Sequence, residues 1–456
     1  MPDLIIKNAR LFINNTIQPA EIAVDGERIT KIGKIIGTGE YDTVIDARGA
    51  LVLPGAIDVH VHFRDPGMKK KEDWFTGSCA AAAGGVTTVI DHPNTIPPTV
   101  DRNSFRLKKK AAKKSIIDYG INAGVTGNVS HLKELWELGS TSFGEIFMAE
   151  STGGLNINNI TLKKALDVTG DLGAIACIHA EDEESRKMFV HMLKGNLDPA
   201  SYSKSRPVLS EKIAVETAIK LASNNTKLHF CHISAHESLE TIRKAKVDNK
   251  NITCEVTPHH LFLSIKDWKR LGTLGKMNPP LRDFHAQQSL WKGVNDGTID
   301  ILASDHAPHL ESEKAVDIWT APAGVPGVET LMPLMLNAIK RNLLTLKRLI
   351  EMTAVNPARI FHLRKGILAP GFDADMIILG EMSEIRREKM HSKAGWTPYN
   401  GMEGIFPIIT LSRGEIIFEE GQIIAKRGRG RFLPGHGYRI EKDEEEDLED
   451  IEDSKE

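Results

Sequence analysis

Between residues 55 and 362 the chain alternates short β-branched runs with longer amphipathic stretches. The strand-like runs are AIDVHVH, VTTVID, IIDYGINAGV, EIFMA, AIACIHA, KLHFCHI, ITCEVTPHH and DILASDH. Between them, EDWFTGSCAAAAGG, FRLKKKAAKK, SHLKELWEL, SEKIAVETAIKLA and ESLETIRKA repeat their apolar residues at helical spacing. Eight strands alternating with helices predict an α/β fold, a (β/α)8 TIM-type barrel. An open doubly wound sheet is the alternative, but no phosphate loop or dinucleotide fingerprint supports it.

Both chain ends have a different texture. LIIKNARLFI, EIAVDGERITKIG and DTVIDARG alternate apolar and polar residues around Gly and Asp, and ADMIILG and IITLSRGEIIFEEGQIIAKRG do so again near the far end. They predict one small β-sandwich domain formed from both ends. The expected boundaries are 1–54 and 363–435 for the two parts of this domain, 55–362 for the catalytic barrel, and 436–456 for an acidic, disordered tail. Residues 441–456 carry eleven acids and two lysines, a net of −9, so the rest of the chain is about +6. That tail has too little apolar content to fold. A mildly basic body suits a small anionic substrate. It is no nucleic-acid signature, because no basic stripe interleaves with aromatics.

The first residues, MPDLIIKNARLF, do not read as a signal peptide, since Lys7, Asn8 and Arg10 interrupt the apolar run. No stretch approaches the ~18 to 20 apolar residues of a membrane helix. Cys79, Cys177, Cys231 and Cys254 lie scattered without metal-finger spacing, which suggests a reducing cytoplasm.

In such a barrel, polar residues at the C-terminal ends of the strands are the catalytic candidates. His60 and His62 lie two apart on the first strand, so strand alternation puts both on one face. Two imidazoles on one face can hold a divalent metal. Alone, the pair is as consistent with ordinary packing. The other strands add His179 on the fifth, His232 on the sixth, Asp305 on the eighth and Glu145 on the fourth. Four histidines and two carboxylates at strand ends are hard to explain by packing. His229, His236, His306 and His92 read as structural. His259 and His260 are balanced between a structural role and support of the site.

DVHVHFRDPG, followed by KEDWFTGSCAAAAGGVTTVIDHPNT, resembles the dihydroorotase signature, as do EVTPHHL, KMNPPLR, SDHAPH, APAGVPGVET and KGILAPGFDADMIIL. The similarity spans roughly residues 3–435. It implies a metal-dependent cyclic amidohydrolase that interconverts N-carbamoyl-L-aspartate and (S)-dihydroorotate in pyrimidine synthesis. By motif position, His60, His62 and Asp305 would hold one zinc, and His179 and His232 a second. Many relatives carry a carboxylated lysine on the fourth strand as the bridge between the ions. Here that position is Glu145. Either Glu145 bridges two ions directly or the site is effectively mononuclear; bridging is the favoured expectation, with Glu150 a weaker substitute.

The resemblance also implies a mechanism. Metal-activated water attacks the ring amide carbonyl, and Asp305 takes the proton and passes it to the leaving nitrogen. Arg64 would grip the substrate carboxylate in bidentate fashion, with Asn94 and His309 completing the clamp and His62 beside it. Asn278 and the stretch Ala323–Gly324 would touch the ring edges. A hydantoinase or allantoinase is the nearest rival, and a non-catalytic scaffold for a transcarbamoylase is the rival from a different class. A homodimer and an association with a transcarbamoylase both stay open.

Overall fold

A computed structural model describes residues 3–37, 41–152 and 154–439. Eight parallel strands follow one another in chain order: β1 (Ala56–Val61), β2 (Val86–Asp91), β3 (Asp118–Ile121), β4 (Phe143–Phe147), β5 (Ile175–His179), β6 (Lys227–Phe230), β7 (Ile252–Val256) and β8 (Ile301–Leu302). β1 to β3 form one hydrogen-bonded sheet and β4 to β8 another. Isolated parallel bridges join them at both edges, Ala123 to Phe143 and Val61 to His306. The ring is thus continued from β3 to β4 and from β8 back to β1. Each of the eight expected runs contributes a strand. The eighth is shorter than its sequence suggests, because the chain leaves the sheet after Leu302 to carry Asp305.

Almost every barrel residue is buried on both faces, as in β1, where all six are covered. Parallel strands walled by helices need such a composition. The helices start where the sequence caps them. The Asp73 carboxylate accepts from the N–H groups of Phe75 and Thr76 and opens the helix Trp74–Ala83. That helix presents small residues to the barrel, and a Cβ on Gly77 would come within 2.6 Å of the Phe63 ring.

The two chain ends meet in a single nine-stranded sheet. Leu4–Ile13 pairs with Thr16–Asp25 and with Leu51–Pro54, and Leu51–Pro54 pairs antiparallel with Met376–Glu384. Its core packs Ile6, Leu11, Ile22, Val52, Met376 and Leu411 together. Most of the expected acidic tail, residues 440–456, lies outside the described residues. Just before it, the N–H of Arg439 donates to the carbonyl of Glu137 on the barrel's flank. Among the described residues, no helix is long and apolar enough to cross a membrane.

A buried ion cluster ties this sheet to the barrel. Lys365 Nζ lies 2.6 Å from Asp375, 2.8 Å from Asp118 on β3 and 3.0 Å from Asp373. Burial opposes its charge, but the three carboxylates raise its pKa. Lys365→Met leaves buried Asp375 without a side-chain cation and Asp118 with Arg413 alone. It is expected to lower stability by about 3 to 5 kcal/mol in urea unfolding. A loss below ~1 kcal/mol, the range of an exposed pair, would show that the cluster contributes little.

Candidate metal centre

Glu145 projects from β4 into the middle of four histidines. Its Oε2 faces the first strand, 3.4 Å from His60 Nε2 and 3.5 Å from His62 Nε2. Its Oε1 faces the opposite side, 3.0 Å from His179 Nδ1 and 2.8 Å from His232 Nε2. One carboxylate therefore addresses two pairs of imidazoles with different oxygens. Asp305 closes the first group, its Oδ1 3.2 Å from His62 Nε2 and 3.6 Å from His60 Nε2. All six sequence-predicted ligands thus come together. Glu150, the weaker substitute, has a side chain 66% exposed and pairs with Arg186 instead.

The donor set fits a cation. His60, His62 and Asp305 bring ligand atoms within 4.8 Å of one another, as do His60, Glu145 and His232. His60 Nε2 is buried with no hydrogen-bond partner, an orphan that coordination would satisfy. Burial disfavours a charged His60, yet Glu255 and Glu145 raise its pKa well above the usual imidazole range. Burial likewise opposes charge on His179, but Glu145 and Glu181 lift it to about 9. The field at the centre favours positive charge. A third grouping, His60, Cys231 and Glu255, also lies close together. Burial, with Cys177 and Glu255, pushes the Cys231 thiol well up.

Glu255 was not legible as part of the site. It stands on β7 and accepts from His60 Nδ1 at 2.5 Å, from the backbone N–H of His232 at 3.1 Å and from His229 Nε2 at 3.1 Å. A protonated His60 Nδ1 leaves Nε2 to face the centre, which is how outer carboxylates fix ligand tautomers. The signal was present in ITCEV, since an acid inside an apolar parallel strand needs a partner. His229, expected as structural, braces Glu255. His92 stacks on His60 with ring centroids 4.1 Å apart. His260 is held by Thr257 and the carbonyl of Pro279, and His259 is buried without a hydrogen-bond partner.

A narrow cleft opens over the centre. It is lined by His62, Arg64, Asn94, Asn278, Ala323 and Gly324, among others, with Ser151 and Thr152 beyond what the sequence suggested. Arg64 is buried, with Nε donating to the carbonyl of Pro308 and Nη2 lying 3.3 Å from His309 Nε2. His309 sits behind this guanidinium, between Lys71 and the carbonyl of Ala323. Burial and the charges of Arg64 and Lys71 lower its pKa and keep it neutral. Asn94 lines the cleft, and its Oδ1 accepts from His62 Nδ1 at 2.6 Å and turns Nε2 toward the centre. Asn278 accepts from the Tyr202 hydroxyl and donates to Ser151. The backbone of Gly324 is already engaged, its N–H on the Lys276 carbonyl and its carbonyl on Lys314 Nζ. Gly324 also has φ +133°, and a Cβ there would come within 2.5 Å of the Ala307 carbonyl. It shapes the cleft by what it lacks.

Residues 51–400 match the amidohydrolase family. The chain belongs to that family. This amidohydrolase is 58% identical to a dihydroorotase of Methanosarcina acetivorans, over 99% of each chain. It is 41% identical to a dihydroorotase of Halobacterium salinarum, over 90% of this chain and 96% of that one. Among solved structures, an L-hydantoinase from Arthrobacter aurescens superposes with a TM-score of 0.91 at 31% identity, over 95% of this chain and all of that one. The protein is an enzyme of this family, with His, Glu and Asp side chains grouped closely enough to hold metal.

Proposed function

We propose that the protein is a dihydroorotase holding two zinc ions, which opens dihydroorotate to N-carbamoyl-L-aspartate and closes it in reverse. The observation that carries the reading is Arg64, a buried guanidinium two residues past a ligand histidine and lining the cleft above the centre. Dihydroorotate, unlike hydantoin or allantoin, brings a ring carboxylate for it to grip. The relatives named dihydroorotase support the same choice.

His60, His62 and Asp305 would hold one ion, His179 and His232 the other, with Glu145 between them. When bound, the ions supply a Lewis acid for the ring carbonyl and lower the pKa of water toward ~7. Arg64 receives the substrate carboxylate, with neutral His309 behind it as an uncharged support. Asn94 keeps His62 turned toward the centre. Burial would raise the pKa of Asp305, but the His62 hydrogen bond and His60 lower it. Asp305 is therefore ionised at neutral pH and ready to take the proton of the attacking water. That proton passes to the ring nitrogen as the carbon–nitrogen bond breaks. In the closing direction the same groups act in reverse and water leaves.

The decisive assay runs dihydroorotate, hydantoin and allantoin on one purified sample whose metal content is also measured. The highest kcat/KM is expected on dihydroorotate. Faster turnover of hydantoin would move the assignment to the rival suggested by the solved-structure likeness. Arg64→Ala is expected to raise KM for dihydroorotate about 10- to 100-fold, the worth of a charged hydrogen bond of ~1.5 to 3 kcal/mol. An unchanged KM would refute the carboxylate clamp.

A further inference from the structure

We infer that Glu181 and Arg206 are positioning residues for the His179–His232 half of the centre, and that Arg206 ties that half to the loop lining the cleft; this rests on the two-ion reading of the site. His179 ends β5, and its ring is held at both nitrogens. Nδ1 lies 3.0 Å from Glu145 Oε1, and Nε2 lies 2.9 Å from Glu181 Oε2. A ring nitrogen that carries a proton has no lone pair for a cation. A carboxylate paired with a guanidinium is an acceptor only, so Nε2 donates to Glu181 and Nδ1 is left open toward Glu145.

Glu181 can hold that role because it is compensated. It is fully buried, and an unpaired carboxylate there would be costly. Arg206, itself 5% exposed, donates through Nη1 to the same Oε2. Its other arm, Nη2, donates to the carbonyl of Glu150 at 2.7 Å. The next two residues, Ser151 and Thr152, line the cleft. One guanidinium therefore braces a ligand histidine and the loop beside the substrate. Glu255 is the counterpart of Glu181 behind His60. Each half of the centre thus has its own buried carboxylate fixing one histidine.

The test is a titration of metal-stripped, full-length protein with Co²⁺, followed by calorimetry and by the visible absorption of the bound ion. The parent is expected to bind two equivalents. Glu181→Gln, nearly the same shape, should keep one ion at parent affinity and weaken the other about 10- to 100-fold. Arg206→Gln, which leaves Glu181 in place, should weaken the same ion. Two unchanged affinities in either variant overturn the inference, as does equal weakening of both ions in a variant whose circular dichroism matches the parent. A parent that binds a single ion overturns the two-ion reading and this inference with it, whereas two ions with unaltered variants overturn this inference alone.

Discussion

Replacing Asp305 with alanine should lower kcat on dihydroorotate by about 10³- to 10⁴-fold, the upper range for a positioned acid–base group. Asp305 reaches the first pair of histidines and lines the cleft from beyond the barrel's last strand. It is held there at φ +45°, a conformation uncommon for a residue other than glycine. The remaining ligands His60, His62 and Glu145 stay in place, so metal should be retained or only partly depleted. Steady-state kinetics on metal-replete protein, with metal content measured alongside, separate the two losses. Near-normal turnover would sink the proton shuttle. Loss of activity that tracks loss of metal would assign Asp305 to ligation alone.

The second large effect concerns Glu145. Its two oxygens serve different histidine pairs, at 3.4 and 3.5 Å on one side and 3.0 and 2.8 Å on the other. Glu145→Ala should bring bound metal from about two equivalents per chain to one or fewer. Activity should fall about 10³-fold, because Lewis-acid stabilisation is worth several kcal/mol and each ~1.36 kcal/mol is tenfold in rate. Elemental analysis after metal reconstitution and dialysis reads the first number directly. A parent protein that holds well below two equivalents when metal-replete would count against bridging. A Glu145→Ala variant with parent metal content would do the same.

The six candidate ligands were readable from the sequence because barrel strands obey simple rules. Strand alternation puts His60 and His62 on one face, and polar residues at strand C-termini face the catalytic end. The same rules located Arg64, just beyond His62 on the following loop. They were silent where roles depend on partners far along the chain. Asn94 was read as a substrate donor, and the bond its Oδ1 accepts from His62 Nδ1 is a further role that no local pattern showed. Gly324 was read as a backbone contact, yet its peptide groups already bond Lys276 and Lys314. Glu255, 195 residues from His60, and Arg206, 25 from Glu181, left no local pattern that names their partners.

The amino-acid sequence by itself determined which residue types stand at the barrel's active end, and with them the alternation that builds the barrel. It also determined that a glutamate occupies the fourth-strand position. Which way each carboxylate and imidazole turns was decided only by the tertiary structure. Glu145 can address both histidine pairs because β1, β5 and β6 bring their strand ends around β4 to within hydrogen-bonding or near-contact distance of its carboxylate. A ring nitrogen becomes a donor or a ligand according to the acid behind it, and those acids arrive from other strands.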